Sequence, residues 1–94
     1  MAEDRWPDKD SDEVLDYSIN WEDRLENGEA IQESAWIVPS PLVNVSDSIG
    51  GAVTTVWLSG GPSSNRRSYI VRNRITTSAG RTYEWPVKIK VGEI

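Results

Sequence analysis

The sequence predicts an all-β protein, a small two-sheet sandwich behind a flexible N-terminal arm. Three observations carry that expectation. From residue 14 onward apolar and polar residues alternate at period two, the signature of half-buried strands. Turn residues recur at roughly ten-residue intervals, which divides the chain into six or seven short strands. The 94 residues make one domain and leave no room for a second.

Taken in order, residues 1–13 hold six acidic and two basic residues, with Trp6 and Pro7 as the bulky groups. Such a stretch has too little apolar surface to order itself, so residues 1–13 are expected to be a flexible acidic arm and residues 14–94 the sandwich. Leu15, Tyr17, Ile19 and Trp21 then alternate with Asp16, Ser18 and Asn20 as a first strand. Residues 22–29 are polar, with Asn27-Gly28 as a turn signal and room for one helical turn. Residues 30–38 form a second strand rich in Ile, Trp and Val, stopped by Pro39 and Pro41. Residues 42–45 make a short strand and 46–51 a polar turn. Residues 52–58 are β-rich and end at Ser59-Gly60-Gly61-Pro62.

The last hairpin is the clearest part. Its strands span 67–76 and 82–91, joined by a turn at 77–81 in which Gly80 suits positive φ. Tyr69, Val71, Asn73 and Ile75 share one face, and Tyr83, Trp85, Val87, Ile89 and Val91 share one face of the partner strand. Tyr69 stands two residues before a core position, Val71, which matches the tyrosine corner of immunoglobulin-like sandwiches. The expected fold is therefore Ig-like, with about seven antiparallel strands.

Composition excludes several chemistries. There is no Cys and no His, so disulfides, thiol nucleophiles, His-based acid–base catalysis and Cys/His zinc sites are all ruled out. Asp8-x-Asp10-x-Asp12 opens like a calcium loop, but Glu13 stands where Gly belongs and Ile19 where the closing Glu belongs. The carboxylates concentrate in the arm and turns, where nothing would raise the pKa of a general acid. No phosphate loop, dinucleotide fingerprint or Gly-x-Ser-x-Gly occurs. Asn44-Val45-Ser46 fits the glycosylation pattern, but the acidic start MAEDRWPDKD is unlike a secretory signal peptide. No apolar run approaches the ~20 residues that span a bilayer. The sequence thus predicts no enzyme, no cofactor, no metal and no membrane contact.

What remains is binding. Residues 1–33 carry a net charge of −9 and residues 34–94 a net +4. The basic side is the hairpin, with Arg66, Arg67, Arg72, Arg74 and Arg81. An isoelectric point of about 4.6 argues against nucleic acid. A solvated sheet face is one reading of these arginines. The other is a dock for the acidic arm of a neighbouring copy, anchored by Trp6, in a head-to-tail ring.

Several segments resemble one family. They are Asp16-Tyr17-Ser18-Ile19-Asn20-Trp21, then Leu25, Gly28 and Ile31 with Ser34-Ala35-Trp36. Thr54-Thr55-Val56-Trp57-Leu58-Ser59-Gly60-Gly61 follows, then Tyr69-Ile70-Val71-Arg72-Asn73-Arg74-Ile75-Thr76-Thr77 and Ala79-Gly80-Arg81-Thr82. Together they resemble the small fiber-tail adaptor proteins of tailed bacteriophages, over about residues 12–91. The resemblance implies a non-enzymatic virion protein of the neck or tail, made in the bacterial host cytoplasm. It would link tail fibers to the connector in several copies. A capsid decoration protein and a carbohydrate-binding Ig-like module are the alternatives. The family's recurring Trp and Gly positions fall on Trp21, Trp36, Trp57 and Gly60-Gly61, read here as core and turn. The chain departs from the pattern at Trp85-Pro86, where a polar residue is usual. Trp85 is therefore a candidate contact, with core packing as the other reading.

Overall fold

A computed structural model describes residues 5–93. Seven strands follow in order: β1 (Lys9–Asp10), β2 (Leu15–Asn20), β3 (Ile31–Ile37), β4 (Leu42–Gly50), β5 (Val53–Gly60), β6 (Arg67–Thr77) and β7 (Thr82–Gly92). A single 3-10 turn, Glu22–Arg24, lies between β2 and β3. The strands form two sheets, β1-β7-β6-β3 and β2-β5-β4, packed as an Ig-like sandwich. Every pairing is antiparallel except that of β1, which runs parallel to β7.

Period two puts Tyr17 and Ile19 of β2, Val56 and Leu58 of β5, Val71 and Ile75 of β6, and Val87, Ile89 and Val91 of β7 into one core. Asn73 and Thr54 are buried among them, and both are satisfied. The Trp21 indole N–H donates to Asn73 Oδ1 at 3.0 Å and lies 3.1 Å from Thr54 Oγ1, which itself donates to Asn73 Oδ1 at 2.6 Å. Asn73 Nδ2 donates to Ser34 Oγ and to the carbonyl of Ala35. One polar side chain therefore joins β3, β5, β6 and the end of β2 across the two sheets. Tyr69 packs on the core, but among the described residues its hydroxyl makes none of the backbone hydrogen bonds of a tyrosine corner.

Two expectations need correction. The first concerns the arm. Residues 1–4 lie outside the described residues, but residues 5–13 are built into the sandwich. Trp6 donates its backbone N–H to the Lys88 carbonyl at 2.9 Å, and Lys9 and Asp10 pair with Val91 and Gly92. The Trp6 indole stacks on Tyr17 with centroids 4.8 Å apart, lies 6.0 Å from Trp36, and donates to the Ser18 carbonyl at 3.3 Å. Lys9 is buried, and its ammonium donates to the carbonyls of Gly60 and Asp10 at 2.7 and 2.9 Å. The segment orders because β7 supplies its backbone partners and one aromatic supplies its burial, not because it is apolar.

The second concerns β4, which runs on through the expected turn at 46–51 to Gly50. It is an edge strand with Ser46, Asp47 and Ser48 in its second half, paired to β5 with a bulge between Asn44 and Ser46. Gly60 and Gly61 mark a close approach as well as a turn. A Cβ on Gly61, at φ 144°, would stand 2.6 Å from Val91 Cγ1 and 2.8 Å from Ser11 Oγ.

Candidate assembly surfaces

The five hairpin arginines do not form one cluster. Arg72 and Arg74 point out from β6, and both reach Glu84 of β7, at 3.7 and 2.9 Å. Arg66 pairs with Asp8 at 2.9 Å, and Asp8 also takes Arg5 at 3.1 Å. Arg81 lies 3.4 Å from Glu29. Arg67 is exposed and has no ion-pair partner among the described residues. The Glu29 carboxyl is held below its usual pKa by the Thr77 hydroxyl, then by the Glu26 backbone N–H and by Arg81. The contrast between acidic N-terminal residues and a basic hairpin is thus partly neutralised within one chain, through Asp8–Arg66 and Glu29–Arg81.

The basic side that remains is the outer face of the β1-β7-β6-β3 sheet. Across it Ile37, Arg72 and Pro86 form one row, Ala35, Arg74 and Glu84 the next, with Ile70 beside Lys88 and Ser68 beside Lys90. One carboxylate, Glu84, answers both Arg72 and Arg74. Ile37 adds an exposed apolar group at the edge of this face.

The opposite outer face, of β2-β5-β4, has the reverse character. No Lys or Arg lies in any of its three strands. Asp16, Trp57 and Ser46 form one row, and Ser18, Thr55 and Ser48 the next. Trp57 is 42% exposed, contrary to its reading as core. Thr54, Val56 and Leu58 all point inward, so period two sends the residue between Val56 and Leu58 outward; that alternation was the available signal. Val43 lies on the same face opposite Ser59, Val45 sits in the bulge, and Val14 precedes β2; all three are more than half exposed.

Trp6 and Trp85 belong to the interior side. Trp6 is 9% exposed and is a core residue of the described fold. Trp85 is half-buried, edge-on to Trp21 with centroids 5.1 Å apart. Arg24, from the 3-10 turn, lies over Trp21, Tyr83 and Trp85 at 5.3–5.7 Å from the ring centres. A groove of about 290 Å³ runs past Trp6 and Trp85 between β2 and β7.

These are the surfaces open to contact with other proteins; the class of the protein comes from its family. The class is that of phage tail structural proteins. A family model, the podophage GP4 fiber-tail adaptor protein gp77, matches residues 9–90, and the chain belongs to this Gp77 family. No curated protein matches it. Membership assigns the chain to the virion tail, in contact with other tail proteins.

Proposed function

We propose that this protein is the adaptor through which tail fibers are joined to the neck/tail connector, present in several copies and acting by binding alone. The observation that carries the reading is the family match across residues 9–90, nearly the whole described fold. Two further features support it. The buried polar groups around Asn73 are engaged in holding the sheets together, which leaves recognition to the outer faces and strand edges. The exposed arginines Arg67, Arg72 and Arg74 provide positive charge for acidic neighbours. Synthesis in the host cytoplasm precedes incorporation. Electron cryomicroscopy of virions with the chain labelled at its C-terminus tests the reading. Density at the junction of fiber and connector is expected, and density on the capsid surface would make it a decoration protein instead.

A further inference from the structure

We propose that copies of this chain associate head to tail, the Trp57 face of one seated on the Arg72–Arg74 face of the next. The proposal rests on the adaptor reading above and names which surfaces meet between copies. The two broad faces of the sandwich are complementary in charge. One has Asp16 beside Trp57 and no cation in its three strands. The other has Arg72 and Arg74 sharing a single carboxylate, with Lys88 and Lys90 alongside.

The apolar groups are complementary too. Trp57, Val14, Val43 and Val45 stand exposed on or beside the acidic face, and Ile37 stands exposed on the basic one, next to Arg72. An indole beside a carboxylate on one copy meets an aliphatic group beside a guanidinium on the next. The aromatic has an apolar and a cationic partner, and the carboxylate an Arg. The described part of the segment expected to reach a neighbour, residues 5–13, is engaged within its own chain, where Asp8 binds Arg66 and Trp6 is buried. Because the two surfaces differ, the contact is heterologous and each copy keeps one unused half, so association continues into a ring or a filament.

Sedimentation velocity of the full-length chain tests this at ~0.05 and ~0.5 M salt. The samples are the wild type, Trp57→Asp, and the double variant Arg72→Glu with Arg74→Glu, alone and mixed. The wild type is expected to form oligomers larger than a dimer at low salt, weakened several-fold at high salt. Each variant alone is expected to lose self-association by at least about tenfold. Their equimolar mixture is expected to stop at a dimer, because one contributes the intact basic face and the other the intact Trp57 face. If a variant melts early, Asp16→Arg takes the place of Trp57→Asp and Arg72→Asp that of the double variant; the two combined in one chain are expected to restore self-association.

A wild type that stays monomeric at ~1 mM in low salt overturns the proposal. So does an Arg variant that dimerises alone, which would mean a symmetric Trp57 contact. Binding of a host polysaccharide that Trp57→Asp abolishes, without any self-association, assigns the face to sugar and overturns it too. A chain found at the fiber–connector junction but monomeric in solution removes this contact and leaves the adaptor reading standing; a chain absent from the tail removes the adaptor reading itself.

Discussion

The Trp21 indole N–H and the side-chain oxygen of Asn73 lie 3.0 Å apart in the middle of the core, where no water reaches either residue. The bond crosses from the end of β2 to β6, so it ties one sheet to the other. Asn73→Leu removes the acceptor of two donors, Trp21 and Thr54, and leaves the indole without its inter-sheet partner. A loss of about 2–3 kcal/mol is expected, read as a lower urea midpoint at unchanged m-value.

Trp6 fastens the N-terminal segment to both sheets, through the Lys88 carbonyl, the Ser18 carbonyl and the Tyr17 ring. Trp6→Ala is expected to cost about 3–5 kcal/mol, the range for deleting a buried aromatic. Hydrogen exchange should show lost protection in β1 first, because β1 has just two residues and its one neighbour is β7. Unchanged stability would mean that residues 5–13 are not part of the folded unit.

Alkaline pH separates two buried groups. Burial pushes the Tyr17 hydroxyl up to about 12 from 10.0. Between those values the unfolded chain has released this proton and the folded chain has kept it, so stability falls as pH rises through that window. Tyr17→Phe should lose this decline, measured by chemical denaturation at pH steps across it.

Lys9 has the opposite sign. Burial lowers its pKa from 10.5, so just below that value the unfolded chain holds a proton that the folded chain has released. Stability from this group therefore increases as pH rises towards 10.5, whereas the Tyr17 decline runs from 10.0 to about 12. Lys9→Met is expected to remove that rise. At neutral pH the variant should equal or exceed wild type in stability, because it no longer buries a charge whose bonds are to carbonyls alone.

Gly61→Ala places a methyl where Val91 and Ser11 already stand, at a φ of 144° that side chains avoid. The cost should be roughly 2 kcal/mol or more, seen as a lower melting temperature. Gly80→Ala, at φ 80° in the β6–β7 turn with nothing within 4 Å of the new methyl, should cost less.

Where apolar alternation is strict, the sequence is readable. Val71, Asn73 and Ile75 on β6 and Val87, Ile89 and Val91 on β7 all face inward, and the hairpin closes at Thr76–Thr82 around the expected turn. β1 left no such pattern, because Lys9 and Asp10 are ordered by β7's backbone and by the bonds of the Lys9 ammonium, not by apolar burial. The second half of β4 was hidden by the same logic, since an exposed edge strand of Ser and Asp reads as a turn. The arginines crowd together in sequence, but the carboxylates of Arg66 and Arg81, Asp8 and Glu29, come from segments more than fifty residues away. Those pairings are non-local and leave no local trace. Trp57 was the readable exception: alternation with Val56 and Leu58 sent it outward, while its size suggested the core.

The parallel pairing of β1 with β7 gives the sandwich two unlike flanks. On one, Trp6 and Lys9 lace the sheets together and occupy the carbonyls of Ser18 and Gly60. On the other, β3 and β4 end their sheets with no further strand beyond them among the described residues. A visiting strand thus finds a vacant ladder on one side of the molecule and a latched one on the other. The sandwich has a left and a right: an added strand meets open backbone beside β3 and β4, and side-chain bonds on the opposite flank.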